Sequence, residues 1–308
     1  MAKVQSLNVS KEKGIKKTPV DSVDLVTDFG IKDDAHAGKW HRQVSLLATE
    51  SIQKMKDKGL NVDSGDFAEN ITTEGADLLS LAVGDTVTVG GVELTISQLG
   101  KLCHHRCAVY YAAGDCVMPR EGIFGVVRND GKVTVGDEVT ITRKQGLSVC
   151  VITLSDKGSK GERTDETGPA VVKLLEGKLN VCFTRTELMA DEQKGLEDAL
   201  KYMCDLQKFD LVVTNGSTGV SPRDIAPDAT LNIIEKRLPG FEEAMRMESF
   251  KKTNRALISR AVAGVRGKTL IINVPGSPRG AVENLEVVID AIPHCIEKLQ
   301  GSQVDCAQ

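Results

Sequence analysis

Leu211-Val212-Val213-Thr214-Asn215-Gly216-Ser217-Thr218-Gly219-Val220-Ser221-Pro222-Arg223-Asp224-Ile225-Ala226-Pro227-Asp228-Ala229-Thr230 decides how the second half of this chain folds. It opens on an apolar run of the kind that forms a buried strand. The run breaks into small residues, and a helix follows, with Pro227 in its first turn and Leu231, Ile234 and Leu238 as its apolar positions. A strand that ends in such a loop before a helix makes an anion cradle, because free backbone N–H groups converge on one place. Thr214, Gly216, Ser217, Thr218 and Gly219 supply the cradle. Arg223 adds a charge for phosphate, and Asp224 a carboxylate able to hold a divalent cation. A lone glycine-rich loop is more often just a tight turn. Here the loop, the arginine, the acid and the helix start arrive together, which favours a ligand site.

Outward from this stretch, strands and helices alternate. Strands are expected at 148–154, 180–188, 211–214 and 269–274, and helices near 168–175, 193–206, 228–238 and 281–299, the last interrupted at Pro293. Such alternation implies right-handed crossovers and an α/β three-layer domain with a mostly parallel sheet, binding ligands at the carboxyl ends of its strands. The first half reads mainly as strands. Val87-Thr88-Val89-Gly90-Gly91-Val92-Glu93-Leu94 signals a hairpin. Ala82-Val83-Gly84-Asp85-Thr86-Val87 returns as Thr134-Val135-Gly136-Asp137-Glu138-Val139, so the two segments are expected at equivalent places in one barrel. One helix, around 47–58, interrupts the strands. The expected organisation is a mostly-β barrel over 1–143 and an α/β domain over 147–308, joined by the short polar link Arg143-Lys144-Gln145-Gly146.

At 308 residues, with 41% hydrophobic and 27% charged content, the chain is ordinary for two soluble domains. A formal net charge of −4 gives no general attraction to nucleic acid or anionic membranes, so anion binding must come from local sites. No apolar stretch approaches the ~20 residues of a membrane helix. The opening Met1-Ala2-Lys3-Val4-Gln5 lacks the apolar region of a signal peptide, so the cytoplasm is the expected compartment. Of eight cysteines, Cys150, Cys182, Cys204 and Cys295 stand singly in apolar surroundings as small core residues. Cys103, Cys107 and Cys116 cluster and invite a chemical reading.

The stretch around Gly216 resembles the molybdopterin adenylyltransferase family, whose loop reads Thr-Thr-Gly-Gly-Thr-Gly before an Arg-Asp pair and a Thr-Pro-Asp/Glu-Ala-Thr helix start. This chain departs at Asn215 and Ser217, both small and polar; a Cβ at Ser217 is costly if that position is left-handed. Three further segments, all following strands, extend the resemblance over about 147–300: Leu154-Ser155-Asp156-Lys157-Gly158 leading to Asp165-Glu166-Thr167-Gly168, Ala190-Asp191-Glu192-Gln193, and Asn273-Val274-Pro275-Gly276-Ser277-Pro278. Taken alone, Asp191 caps a helix, Ser155 turns the chain, and Pro275 to Pro278 form a rigid loop. The resemblance implies transfer of AMP from ATP to molybdopterin, with Asp191 and Asp224 catalytic and holding Mg²⁺. It further implies that Ser155, Asp156, Thr214, Gly216, Ser217, Thr218, Gly219, Arg223, Pro275, Gly276 and Ser277 bind the substrates, in a homotrimer. Joining two polyanions calls for a metal, backbone donors and a few cations rather than a protein nucleophile.

Gly30-Ile31-Lys32-Asp33-Asp34-Ala35-His36-Ala37-Gly38, Gly65-Asp66-Phe67-Ala68-Glu69-Asn70, Cys103-His104-His105-Arg106-Cys107 and Asp115-Cys116-Val117-Met118-Pro119-Arg120 resemble the MOSC domain, over about 1–143. Cys103 and Cys107 with the two histidines could be a zinc site, but a second ligand pair is missing unless Cys116 joins. The better reading is a thiol that carries persulfide or ligates the molybdenum cofactor, its thiolate favoured by Lys101, Arg106 and the histidines. The family's reactive cysteine best matches Cys107, with Cys103 and Cys116 in reserve; His36 could equally be a hydrogen-bonded barrel histidine. Two resemblances meet on molybdenum cofactor biosynthesis. The implied partners are molybdopterin and ATP, with other biosynthetic proteins or apo-molybdoenzymes besides, and no nucleic acid or membrane. A pterin-binding carrier without turnover is the alternative, and a thiol-based reductase a weaker third reading.

Overall fold

Alternating β-branched and polar residues shape the first half, and continuous apolar runs the second. The computed structural model describes residues 1–101, 110–111 and 116–303, and falls into two units, Met1–Lys144 and Gln145–Gln308.

Unit 1 contains β1 (Lys3–Val9), β2 (Thr18–Val20), β3 (Ser22–Val26), β4 (Gly30–Ile31), β5 (Val44–Ala48), β6 (Ile71–Glu74), β7 (Thr86–Val89), β8 (Val92–Leu99), β9 (Ile123–Val127), β10 (Gly131–Thr134) and β11 (Val139–Thr142). Eight of them form one sheet in the order β11-β7-β8-β9-β5-β6-β1-β2, and β10-β3-β4 form a smaller one. The large sheet curls until β1 meets β11: Lys3 bridges Glu138, and Val139 N–H donates to Ala2 O at 2.9 Å. Gly90 (φ 56) and Gly91 (φ 83) turn β7 into β8, with Val89 paired to Val92, a two-residue turn that favours glycine at both positions. Helix α1 (Thr49–Asp57) buries Ile52 and Met55 in a core cluster with Leu47, Phe67, Val117 and Phe124.

Unit 2 contains β12 (Leu147–Leu154), β13 (Val181–Met189), β14 (Leu211–Asn215), β15 (Lys236–Arg237), β16 (Ala263–Arg266) and β17 (Thr269–Val274) in one sheet ordered β13-β12-β14-β17-β16-β15. The first four of that order pair in parallel; β16 and β15 are antiparallel. Helices α2 (Thr167–Lys178), α3 (Gln193–Lys201), α4 (Ala226–Leu231), α5 (Pro239–Phe250), α6 (Pro278–Val288) and α7 (Ala291–Leu299) complete it. Val149, Val151, Leu211, Val213, Leu270 and Ile272 join one core cluster with residues of α2, α5, α6 and α7. Cys150, Ile152, Val212 and Ile271, on the alternate positions, are equally buried. Both faces of the sheet are thus covered, as a parallel sheet requires.

Two helix boundaries differ from expectation. The helix beginning near Pro227 ends at Leu231, which is 43% exposed rather than core. Beyond it the backbone goes to the sheet instead, Glu235 N–H donating to Val265 O and Leu238 N–H to Ala263 O. Pro239 favours this extended path for Leu238 and then starts α5, a helix absent from the expected set. The break expected at Pro293 falls earlier, between α6 and α7; Pro293 lies in the first turn of α7, where its missing N–H costs nothing.

Candidate functional site

At the carboxyl ends of β12, β14 and β17 the loops enclose a cavity of ≈ 450 Å³. Ser155, Asp191, Gly216, Ser217, Arg223, Asp224, Gly276 and Ser277 of the expected set line it. Gly216 stands at φ 98, and a Cβ there would lie 2.5 Å from Leu154 O, so glycine is obligatory. Gly276 brings the neighbouring loop so close that its own Cβ would stand 3.0 Å from Gly216 Cα. Between these contacts the N–H groups of Ser217, Thr218, Gly219 and Val220 donate to no acceptor among the described residues. Consecutive unpaired donors of this kind form a concavity for an anion.

Ser217 is left-handed, at φ 56. Its hydroxyl donates to Arg223 O at 2.9 Å and accepts from Ile225 N–H at 2.8 Å, tying the start of the loop to its end. Asn215 donates to Thr153 Oγ1 at 3.0 Å, while its buried Oδ1 has no partner at the cavity wall. A buried acceptor left open is a place for a ligand N–H or a water.

The acids are held from behind. Asp191 Oδ2 accepts the Asp156 N–H at 3.0 Å, and Asp156 Oδ1 the Asp191 N–H at 3.1 Å. Asp224 Oδ2 accepts the Ser221 N–H at 2.7 Å. Each of Asp191 and Asp224 keeps its other oxygen without a described protein partner. Arg223 Nη2 donates to both oxygens of Asp156, at 2.7 and 2.8 Å, and Nη1 to Glu192 at 3.0 Å. The Arg223 guanidinium and then the Asp191 N–H hold the Asp156 carboxyl below the usual carboxylate range. Asp165 closes the opposite wall, accepting the Thr167 and Gly168 N–H groups at 2.9 Å each and so capping α2.

The other expected residues do not line this cavity. Thr214 is buried, its hydroxyl accepting from Asn273 Nδ2 at 2.8 Å; the same amide donates to Thr230 at 2.9 Å. Thr214 therefore pegs the strand end from inside the protein. Thr218, Gly219 and Pro275 line a neighbouring cavity that shares Ser277 with the first.

In unit 1, Cys103 and Cys107 lie outside the described residues, and Cys116 is buried in the core cluster containing Phe67 and Phe124. His36 is only partly buried, its Nδ1 3.1 Å from Lys17 Nζ. Lys17 and Asp34 form a buried pair at 2.7 Å, and Asp34 also accepts the N–H groups of Ser10 and His36. Among the described residues no group of three His, Cys, Asp or Glu side chains is placed to hold a metal, and no helix is long and apolar enough to cross a membrane.

The family model described as "Probable molybdopterin binding domain" matches residues 150–294, and that described as "MOSC domain" matches 33–140. Molybdopterin adenylyltransferase of Helicobacter pylori is 45% identical over 159 residues, 51% of this chain and 90% of that protein. Its counterpart in Escherichia coli K12 is 36% identical over 174 residues, 52% of this chain and 89% of that one. The crystal structure of the molybdopterin biosynthesis enzyme MoaB from Thermus thermophilus aligns at 42% identity over 51% of this chain and 98% of its own, with a TM-score of 0.48. The chain belongs to the molybdopterin adenylyltransferase family. That membership resides in unit 2, and unit 1 is a MOSC domain.

Within the adenylyltransferase unit, Arg260 went unnoticed in sequence. Its N–H donates to Thr218 O at 2.9 Å, Nε to Gly219 O at 2.7 Å, Nη2 to Asp224 O at 2.6 Å and Nη1 to the Asp228 carboxylate at 2.9 Å. One side chain thus holds the cradle, the acid and the following helix together. Nothing in its local sequence marks it, because it reaches the loop from the segment preceding β16.

Proposed function

We propose that unit 2 transfers AMP from ATP to the terminal phosphate of molybdopterin. An oxygen of that phosphate bonds to the α-phosphorus of ATP as the bond to the β-phosphate breaks, and pyrophosphate leaves. The observation carrying this reading is that Asp191 and Asp224, each with one open oxygen, line the same cavity as the unpaired N–H groups at Ser217. Two carboxylates completed by substrate phosphates suit Mg²⁺, which is commonly bound through few protein oxygens. Asp191 and Asp224 would hold it, and the ion would supply positive charge against the polyphosphate. The cradle's N–H groups bind phosphate oxygen, and Asn215 Oδ1 is placed to accept from a ligand N–H.

Purified protein given molybdopterin, ATP and Mg²⁺ is expected to release pyrophosphate. Asp224→Asn should reduce turnover at least ~10²-fold, as removal of other charge-stabilising groups does, with pterin binding retained. Asp191→Asn should behave alike. Pterin binding without pyrophosphate, across several divalent metals, would make unit 2 a carrier.

For unit 1 we read a site that binds, sulfurates or hands on the molybdenum cofactor through Cys107, with other biosynthetic proteins or apo-molybdoenzymes as recipients. Burial pushes the Cys204 thiol up to about 12 and the Cys150 thiol higher still, so both are internal controls for reactivity. Cys107 should alkylate faster than either at neutral pH, as read by peptide mass spectrometry; an equal rate removes the thiolate reading. A homotrimer through unit 2 completes the proposal, for which the exposed Met247, Phe250 and Leu257 supply apolar surface; light scattering giving a monomer rejects it.

A further inference from the structure

Two cationic side chains, Arg163 and Arg223, line the cavity at the strand ends, against the carboxylates of Asp165, Glu166, Asp191 and Asp224. Arg223 is already spent, its guanidinium donating to both oxygens of Asp156 and to Glu192. Arg163 has no ion pair and no side-chain hydrogen bond among the described residues. An arginine left unpaired in so acidic a wall keeps its whole fork of donors open. A ligand can take it without displacing a protein carboxylate, which it cannot do with Arg223.

The backbone under Arg163 is fixed on both sides. Before it, Gly161 turns at φ 73 with its N–H donating to Gly158 O, and Glu162 N–H donates to Lys157 O, each at 2.9 Å. After it, Asp165 accepts the Thr153 hydroxyl at 2.6 Å and the Thr167 and Gly168 N–H groups at 2.9 Å. Thr153 stands opposite Asn215 in the sheet, the residue that precedes the cradle. Two residues of chain span at most about 7 Å, so Arg163 leaves the backbone close to the strand ends. The residue is nonetheless exposed, which puts its guanidinium at the mouth of the cavity and not in its floor.

When the bond from the α-phosphorus to its bridging oxygen breaks, the electron pair stays on the oxygen that pyrophosphate carries away. The open oxygens of Asp191 and Asp224 have the same sign as that charge, so the terminal phosphates need a donor of the opposite sign. A planar guanidinium meets two phosphate oxygens at once, and a place at the mouth suits a group that must leave to solvent. We propose that Arg163 binds the terminal phosphates of the nucleotide and the pyrophosphate they become. The assignment rests on the transfer reading above and adds to it the residue that receives the leaving group.

The test measures binding of inorganic pyrophosphate with Mg²⁺, and separately of molybdopterin, to the full chain by titration calorimetry, beside pyrophosphate release from ATP. Arg163→Glu is expected to raise the Kd for pyrophosphate at least about tenfold, the scale of one charge-assisted phosphate contact, and to leave that for molybdopterin within about twofold. Arg163→Lys keeps the charge but loses the fork, and should fall between wild type and Arg163→Glu. Lys160→Glu reverses a neighbouring exposed charge that does not line the cavity, and should change the pyrophosphate Kd no more than about twofold. Arg163 is exposed and unpaired, so unfolding midpoints should stay at the wild-type value. Unchanged pyrophosphate affinity in Arg163→Glu, an equal loss of molybdopterin affinity, or an equal effect of Lys160→Glu overturns the assignment. A wild type that releases pyrophosphate while Arg163→Glu keeps full pyrophosphate affinity rejects Arg163 and leaves the transfer reading standing. A tenfold loss in Arg163→Glu, in a protein that releases no pyrophosphate from ATP, keeps Arg163 as a phosphate-binding residue and rejects the transfer. Absence of pyrophosphate binding by the wild type overturns the assignment, and absence of ATP binding as well overturns both.

Discussion

Ser217 shows how a single residue can break a local rule and be kept. At φ 56 its Cβ meets the backbone, a strain of roughly 1–2 kcal/mol that glycine escapes. The hydroxyl offsets it with two bonds, to Arg223 O and from Ile225 N–H, each contributing about 1 kcal/mol where partly shielded from water. A small polar residue was legible in the sequence as compatible with the cradle. The compensating bonds were not, because they depend on the chain returning to Ser217 several residues later. Ser217→Ala keeps the strain and loses both bonds, and should lower unfolding free energy by about 2 kcal/mol. Ser217→Gly loses the same bonds but relieves the strain, so it should cost less. Urea denaturation of the three proteins ranks them; an alanine variant as stable as wild type would remove the tether from the account. Arg223 carries a related lesson. Its charge was readable as a phosphate ligand, yet in the structure it is engaged with Asp156 and Glu192, so a phosphate must compete with two carboxylates for it.

Elements were legible where their signals are local. The Gly-Gly hairpin, the parallel strands of unit 2 and the proline-started helix at Pro227 each follow from residues within one turn or one strand. The echo at Ala82 and Thr134 is structural as well. Gly84 and Gly136 stand at φ 95 and 94, and in each copy the aspartate accepts an N–H from the residue three positions earlier, Ala82 or Thr134. The strands they launch, β7 and β11, pair antiparallel with each other, Val89 opposite Val139. The early end of α4 was illegible because periodicity cannot see a competing sheet. Leu231, Ile234 and Leu238 keep helical spacing, but Val265 and Ala263 carbonyls claim the backbone between them. Tertiary pairing decided the element, as it commonly does for short segments of ambiguous period.

At the scale of the molecule the net charge of −4 reveals little, because the charges that matter are paired inside each unit. Lys17 and Asp34 are the deepest such pair among the described residues, with side chains 0% and 1% exposed. Neither drew attention as a pair in sequence, since nothing short-range joins them. Burial opposes ionisation of Asp34, but hydrogen bonds from His36, from Lys17 and from the Ser10 N–H outweigh it and hold the carboxyl below its ordinary value. The sign follows from that direction. A folded value below the unfolded one, about 3.9, means the carboxylate's stabilisation is complete above the unfolded value and is lost as pH falls through the folded one. Unit 1 should therefore weaken progressively below about pH 4. The chain has one tryptophan, Trp40, whose Nε1 donates to His36 O at 2.8 Å, while His36 N–H donates to Asp34. Its emission reports unit 1 alone, unit 2 having no tryptophan. Asp34→Asn removes the carboxylate hydrogen-bonded to Lys17 and leaves only the more distant Glu69 to balance the buried ammonium, which should cost about 3–5 kcal/mol and lower the Trp40-detected urea midpoint at neutral pH. Adding Lys17→Met to that variant removes the stranded charge and should recover much of the loss, since an apolar replacement of a whole buried pair is often neutral. A double variant no more stable than Asp34→Asn would mean the pair acts through its hydrogen bonds to Ser10 and His36, with the charge of Lys17 incidental.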